Sequence, residues 1–351
     1  MILEKIAEKM SLWNTKDTLL LPGQPVTQEK VDLARFHEII SKQPKQRIAF
    51  VDGGNTQLIL SPQLSLDMIR VAAVVLAGDK YTTPLKLDFY LLTTLQQQNN
   101  AFFFQSEIFF DEQMKQAHPA LTASLLTLPS LLHLDTEDPR LTTLQHRAPI
   151  SLAGSLARRF TELLASEVML SALAQDDILV LDGSLEALYP SEEKLLHQLA
   201  QHAQSACVSL LGLSKTSQLI TQQGNSAANF LQTLAPFPCW LYIPQHQSVL
   251  QTSFVHLHQQ SEHVFRLDSD PILSSDTLKA AVASLAADAS DPVFYGYPYG
   301  LIKVDSTARV SHQEKEYVLT KLLALAGSEG NVLQRLFSST NAHSILDHVR
   351  Y

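Results

Sequence analysis

Two short apolar segments, far apart in the chain, each end in the dipeptide Asp-Gly. The first covers residues 48–51 and is followed by Asp52; the second covers residues 179–181 and is followed by Asp182. Short apolar runs that stop at turn-forming residues are typical of buried strands. Either dipeptide alone could be an ordinary hairpin turn. Together they predict two aspartates at one edge of a sheet, where their oxygens suit a hard divalent cation.

The order of segments predicts an α/β fold built on one mixed sheet flanked by helices. Strand-like runs follow one another at short spacing after residue 46, as in an antiparallel meander. From residue 151 helices and strands alternate, which adds parallel strands to the sheet. The predicted strands cover residues 47–51, 57–60, 68–76, 85–92, 102–110, 178–181 and 207–213, and the predicted helices cover residues 27–42, 151–174, 191–204, 276–288 and 312–326, with another beginning near Ser214.

This pattern divides the chain into a central domain with helical additions at both ends. The central domain is expected over residues 46–328, with an insertion at about 114–150 that is rich in Leu, Thr and Pro. A helical segment is expected over residues 1–45 and a C-terminal helix over residues 329–351. A chain of 351 residues is long enough to bury a sizeable core.

Charge and composition limit the classes of function. The net charge of −9 argues against a simple electrostatic coat on nucleic acid. An acidic metal site contributes to that charge, and a local basic groove or a partner protein can supply phosphate contacts. The chain has no apolar run near the ~18 residues of a membrane span and no secretory leader, and its two cysteines indicate no disulfide framework. A cytoplasmic protein is therefore expected.

A third carboxylate and a cation are expected beside the two aspartates. Glu162 and Glu167 precede Asp182 on a predicted helix, and since they are five residues apart only one can readily face the sheet edge. Glu107, in an apolar strand, is a weaker candidate, because a buried carboxylate without a partner is costly. Lys215 follows the strand at 207–213, where an ammonium group can contact a phosphate.

Taken together, these segments resemble the NurA nuclease family. The matching segments run in the family's order between residues 47 and 325. They are FVDGG (50–54), MIRVAAV (68–74), RRFTE (158–162), LVLDGSL (179–185), GLSKTS (212–217), GYPYGLIKVD (296–305) and ARV (308–310), followed by an acidic helix. Each is short, and their order and spacing make the resemblance specific.

The resemblance implies an RNase H-like core and a Mn²⁺-dependent deoxyribonuclease with exonuclease and endonuclease action, Mg²⁺ being the alternative ion. It also implies a homodimer that works with a hexameric HerA-type ATPase in DNA end processing and repair. The residues carried over by position are the metal ligands Asp52, Glu162 and Asp182, the phosphate-assisting Lys215, and Tyr297 and Asp305 of the late motif, with Asp305 a fourth metal ligand.

The sequence departs from the family pattern at two positions. Relatives usually carry Asp-Gly-Ser where this chain has Asp52-Gly53-Gly54, so a hydroxyl is lost. Relatives with His at the late position have a neutral or cationic ligand where this chain has the anionic Asp305. No Walker A pattern occurs in the sequence, so an ATP-driven motor would have to be a separate chain.

Two other readings compete with a nuclease. Residues 52–56 fit D-x-G-N-T, the phosphate-cradling turn of sugar and acetate kinases, heat-shock chaperones and actin. In that reading Asp52 would hold Mg²⁺–ATP, but Lys215 would have no role. Alternatively, the chain is an inactive nuclease-like scaffold for an ATPase. A scaffold needs neither the two aspartates nor Lys215, and binding of Mn²⁺ would separate the two cases.

Overall fold

The computed structural model describes residues 2–3, 17–22, 26–142, 147–245 and 250–325. Most of the helical segment expected before residue 17 and the whole C-terminal helix expected over residues 329–351 lie outside the described residues. No helix in the described part of the chain is both long and apolar enough to span a membrane.

The described residues contain the following strands and helices. The strands are β1 (Thr18–Leu21), β2 (Thr27–Lys30), β3 (Phe36–Glu38), β4 (Ile48–Ser61), β5 (Leu64–Ala77), β6 (Lys80–Tyr81), β7 (Leu85–Gln98), β8 (Ala101–Phe110), β9 (Ile178–Asp182), β10 (Ser209–Ser214), β11 (Trp240–Tyr242), β12 (Gln251–His256) and β13 (Phe265–Ser269). The helices are α1 (Glu112–Ala117), α2 (Pro119–Leu125), α3 (Leu128–Leu131), α4 (Leu152–Leu170), α5 (Glu192–Ser205), α6 (Ala227–Leu234), α7 (Ser275–Asp288), α8 (Tyr299–Ala308) and α9 (His312–Leu325).

One mixed sheet forms the centre of the molecule. Within the described residues its strand order is β3-β11-β12-β13-β10-β9-β4-β5-β7-β8, with β6 paired to β5. Strands β4, β5, β7 and β8 form the expected antiparallel meander. Strand β9 is parallel to β4, and β10 is parallel to β9, because helical crossovers return the chain to the same edge. The expected mixed sheet flanked by helices is thus confirmed.

Helices cover both faces of the sheet, and the alternation of side chains along β4 follows from this. Ala49 and Val51 pack in the same apolar cluster as Phe160 of α4. Ile48 and Phe50 point to the other face and pack with Leu301 of α8. A strand that is apolar on both faces reads as a continuous hydrophobic run, which is how it was recognised in the sequence.

Two predicted helices are wrong. Residues 27–42 form β2, a 3-10 turn at Leu33–Arg35 and β3 instead of a helix. Strand β3 pairs with β11, and the Phe36 ring packs against Trp240 and Tyr242. Residues after Ser214 are irregular until α6 begins. Pairing with a distant strand overrode the local helical spacing of residues 27–42. A local sequence pattern carries no information about such a distant pairing.

The insertion at 114–150 lies against the outer end of the meander. It contains the short helices α2 and α3 and most of α1, which begins at Glu112. Its chain then returns along the edge strand β8, where the amide of Phe104 donates to the carbonyl of Leu134 and the amide of Thr136 donates to the carbonyl of Phe102. The insertion therefore covers part of an edge that would otherwise expose unpaired backbone groups.

Candidate metal centre

The parallel register of β4 and β9 brings Asp52 and Asp182 together. Val51 pairs with Leu181 in the last pair of the two strands. The next residue along each strand is an aspartate, and the two aspartate side chains point to the same face of the sheet. Strand β9 ends at Asp182 as predicted. Strand β4 does not turn at Asp52: it continues to Ser61, paired with β5. The site lies where one strand stops and its neighbour runs on.

The two glycines after Asp52 are explained by close packing on opposite faces. A Cβ on Gly53 would lie 2.9 Å from the Cγ of Glu162, and a Cβ on Gly54 would lie 2.1 Å from the carbonyl oxygen of Ala308. The second distance leaves no room for a serine at position 54, because α8 lies directly on β4.

Replacing Gly54 by alanine is expected to destabilise the protein by roughly 3 kcal/mol, the upper end for overpacked sites, because backbone rather than a flexible side chain opposes the new methyl group. Gly78→Ala is the comparison: its φ is +66° and its Cβ would meet open space, so backbone strain alone should cost about 1 kcal/mol. Denaturant unfolding measures both. Equal losses in the two variants would contradict the close approach of α8.

Lys215 and Asp305 complete the centre. Lys215 follows β10, whose Leu213 is paired with Asp182, and its Nζ lies 2.6 Å from Asp182 Oδ2 and 2.8 Å from Asp305 Oδ1. Asp305 lies on α8 and also accepts from Arg309 at 2.8 Å. Burial acts to lower the pKa of Lys215, but its two carboxylate partners outweigh burial and raise it. The lysine is therefore held as a cation between two carboxylates.

The donor set fits a divalent cation. Among the described residues, Asp52, Asp182 and Asp305 each offer a carboxylate oxygen, and these oxygens lie within 4.8 Å of one another. Burial, followed by the nearby Glu162 and Asp182 carboxylates, raises the pKa of Asp52 to about 8. Three carboxylates face one lysine at this point. A bound divalent cation would relieve the repulsion between these carboxylates. Carboxylate oxygens are the hard ligands that Mg²⁺ and Mn²⁺ prefer.

The structure also distinguishes the three candidate glutamates. Glu162 is 2% exposed, and its Oε1 accepts from Arg158 at 2.5 Å. Burial raises the pKa of Glu162, and two arginines of the same helix, Arg158 and Arg159, oppose that rise. Glu167 points elsewhere, 2.7 Å from a ring nitrogen of His202. Glu107 is exposed on β8, so the buried position weighed for it is wrong.

Tyr297 lies at the inner wall of the centre. It is 2% exposed, and its hydroxyl donates to Asp182 Oδ1 at 3.0 Å. Burial and the Asp182 carboxylate raise the pKa of the Tyr297 hydroxyl well above its ordinary value. The hydroxyl therefore keeps its proton and orients the Asp182 carboxylate. Five of the six residues carried over from the motifs thus lie around one point of the sheet edge, with Glu162 close to Asp52 from the other face. Their roles stay predictions.

Sequence reasoning missed a second group of residues, which holds the turn after Asp182. Gly183 has a φ of +114°. The next residue, Ser184, donates its hydroxyl to Asp268 Oδ2 at 2.7 Å, and its carbonyl accepts from Arg159 Nη2 at 2.6 Å. Asp268, on β13, is completely buried and also accepts from Arg266 and Thr252. The available signal was a charged pair at i and i+2, Arg266 and Asp268, that alternates with the apolar Phe265 and Leu267.

Ser184→Ala is expected to weaken Mn²⁺ binding by about tenfold, the lower end for residues that orient a metal ligand, because the turn loses its bond to Asp268. Calorimetric titration with Mn²⁺ measures the change. The matched control is Ser284→Ala on α7, a buried serine whose hydroxyl bonds to its own helix and to Gln46. Identical Mn²⁺ affinities in both variants would show that the turn needs no such support.

The fold contradicts the alternative hypothesis of a kinase-like nucleotide site at residues 52–56. A phosphate-cradling turn at residues 52–56 would require a loop whose backbone curls around a ligand. Residues 52–56 are instead extended and paired with β5 through Asp52↔Ala72 to Thr56↔Met68. The backbone amides of this segment are therefore part of a strand, and the reading of D-x-G-N-T as a nucleotide loop is wrong.

Fold and centre together define an α/β protein with a cluster of three carboxylates at the edge of its mixed sheet. The chain is similar to several solved nuclease structures. They include the NurA nuclease from Sulfolobus solfataricus (13% identity, 85% of this chain and 89% of that chain covered, TM-score 0.45). Endonuclease V from Ciona intestinalis, in complex with a 24mer DNA containing an inosine followed by a ribo-adenosine, gives 10% identity, 77% and 90% coverage and a TM-score of 0.37. The catalytic domain of human Endonuclease V gives 10% identity, 81% and 92% coverage and a TM-score of 0.34.

No protein-family model matches the chain, and no curated protein sequence matches it significantly. The structural likenesses are at low identity and concern the fold. The function proposed below rests on the metal centre itself.

Proposed function

We propose that this protein is a metal-dependent deoxyribonuclease that hydrolyses phosphodiester bonds at the Asp52–Asp182–Asp305 centre. The observation that carries the proposal is the convergence of these carboxylates within 4.8 Å beside the ammonium group of Lys215. Carboxylates from three separate elements gather around one point, while an apolar scaffold surrounds them. A fold has no structural need for such a costly arrangement.

Each side chain has a distinct part in this reaction. Asp52, Asp182 and Asp305 would hold the ion, with Glu162 beside them. When bound, Mn²⁺ or Mg²⁺ would polarise the phosphate and neutralise charge that develops on its oxygens. Tyr297 donates a hydrogen bond that fixes the Asp182 carboxylate. Lys215 lies in reach of the same carboxylates and would place its charge on the phosphate or the departing oxygen.

The biological setting is part of the proposal. The sequence contains no Walker A pattern, and we assign any ATP-driven movement along DNA to a separate HerA-type hexameric ATPase. A homodimer acting in the cytoplasm on DNA ends, with Mn²⁺ as the ion, completes the proposed assignment. The acidic net charge of −9 favours such a partner, since a partner protein can supply cationic groups that contact phosphates.

Degradation of labelled single- and double-stranded DNA tests the function. Purified protein is incubated with Mn²⁺, Mg²⁺ or EDTA, and we expect cutting with a divalent ion and none with EDTA. Cutting that persists in EDTA would contradict the metal centre. If wild-type protein binds Mn²⁺ but cuts only after a HerA-type ATPase is added, the enzyme depends on its partner. A protein that neither binds Mn²⁺ nor cuts would instead be a scaffold.

A further inference from the structure

Four side-chain rings lie together at the surface beside Tyr297, and we call them the ring cluster: His258, His263, Phe294 and Tyr295. They form two stacked pairs. The rings of His258 and Tyr295 have centroids 4.6 Å apart and planes 10° apart, and those of His263 and Phe294 are 5.3 Å and 11° apart. The two pairs join two loops that are distant in sequence.

The register of the sheet puts the ring cluster at the same edge as the metal centre. The loop that carries both histidines joins β12 to β13, and the last pair before it is Val255↔Phe265. Strand β13 is antiparallel to β10, with Arg266 opposite Ser214. Since Lys215 follows Ser214, the loop leaves the sheet where Lys215 enters the centre.

Tyr297 connects the ring cluster to the carboxylates. The ring centroid of Phe294 lies 6.1 Å from that of Tyr297, and the Tyr297 hydroxyl bonds to Asp182 at 3.0 Å. A base that rests on Phe294 would therefore belong to a nucleotide near the one whose phosphate reaches Asp182.

The two loops pack against each other, and each is fixed by a backbone hydrogen bond of its own. Gly296 has a φ of +89°, and a Cβ there would lie 2.4 Å from the hydroxyl of Ser261. The Gly296 amide donates to the carbonyl of Ala289, and the Ser261 amide donates to the carbonyl of His258. The rings are thus preorganised, which lowers the entropic cost of binding.

Exposure and charge favour stacking over phosphate contacts at this surface. The side chain of Phe294 is 41% exposed and that of its neighbour Val293 is 72% exposed; His263 is exposed as well. Arg266, on the strand that follows the histidine loop, is already paired with Glu186 and Asp268. Ring faces bind bases of any sequence without a positive charge.

We propose that the ring cluster is a base-stacking surface that holds unpaired nucleotides of a single DNA strand next to the metal centre. The inference rests on the proposed nuclease function, since it names the form of DNA that enters the site. Bases in a duplex are already stacked on one another, so only an unpaired strand can use these rings.

Binding of a labelled oligothymidine, measured by fluorescence anisotropy in EDTA, tests the surface without cleavage. Phe294→Ala is expected to raise the Kd about tenfold or more, and Phe294→Trp is expected to retain tight binding. Phe109→Ala is the matched control, because Phe109 is 44% exposed on β8, at the other end of the sheet, and it should bind like wild type. A blunt duplex should bind Phe294→Ala and wild type equally.

The outcomes separate this inference from the nuclease proposal. Equal effects of Phe294→Ala and Phe109→Ala, or no binding of the single strand by wild type, would overturn the stacking surface. So would an equal loss of duplex binding in Phe294→Ala. If Phe294→Ala loses single-strand binding while wild type never cuts DNA with any ion, the surface stands and the nuclease proposal fails. If wild type cuts DNA and Phe294→Ala binds the single strand normally, the nuclease proposal stands and the stacking surface fails.

Discussion

Asp182→Asn is expected to lower the rate of DNA cleavage by on the order of 10³-fold or more and to leave the fold intact. Asparagine keeps the shape of the side chain, and its oxygen can still accept from the Tyr297 hydroxyl. The substitution removes the negative charge that faces Lys215 and the cation. Single-turnover cleavage of labelled DNA at saturating Mn²⁺ measures the rate, and thermal unfolding checks the fold.

Glu167→Gln is the control for this prediction. Glu167 is a carboxylate on α4, the helix that carries Glu162, but its partner is His202 and not the centre. We expect it to cut DNA at the wild-type rate. Wild-type activity in Asp182→Asn would exclude this carboxylate from the reaction, and an equal loss in both variants would point to a general effect of charge.

Asp52→Asn is expected to abolish cleavage and, without metal, to be more stable than wild type at pH 8. Asp52 is 6% exposed, and its pKa is raised to about 8, first by burial and then by the Glu162 and Asp182 carboxylates. Ionising this group therefore opposes folding, and a neutral amide removes the opposition. Such a gain in stability at the expense of activity is typical of charged active sites.

The sign of the pH dependence follows from the raised pKa. The ordinary pKa of Asp52 is 3.8, so between about pH 4 and pH 8 the folded protein binds a proton that the unfolded chain has released. The stability that this proton contributes is complete below about pH 4 and is lost as the pH rises through 8. Wild type should match Asp52→Asn near pH 4 and fall behind it by roughly 5 kcal/mol at pH 8, since the pKa is raised by about four units and each unit corresponds to about 1.4 kcal/mol.

Unfolding of both proteins across this pH range, with and without Mn²⁺, measures the difference. Mn²⁺ should stabilise wild type at pH 8 and have little effect on Asp52→Asn, because a ligand that binds only the folded state raises its stability. A stability gap that is constant from pH 4 to pH 8 would contradict the raised pKa. Equal stabilisation of both proteins by Mn²⁺ would exclude Asp52 as a ligand.

Much of the fold could be predicted from the sequence because most of its strands and helices have clear local hydrophobic patterns. The meander from β4 to β8 consists of long apolar strands. The predicted ranges of α4, α5 and α7 agree with the observed helices to within a residue or two at one end or at both. The segment over residues 27–42 failed for the opposite reason. Its apolar residues have helical spacing, but Phe36 packs against Trp240 and Tyr242, which lie about 200 positions away in the sequence.

Asp52, Asp182 and Lys215 could be selected from the sequence alone, since each aspartate stands directly after a buried apolar run and the lysine stands two residues after one. Their types determined what chemistry the site can hold: carboxylate oxygens for a hard cation and an ammonium group for a phosphate. Only the tertiary structure decided how they meet. The register of β4 with β9 sets Asp52 beside Asp182 on one face, and the approach of α8 to Gly54 delivers Asp305. Strand register and helix packing depend on contacts across the whole chain, so the short segments that name the residues do not contain them.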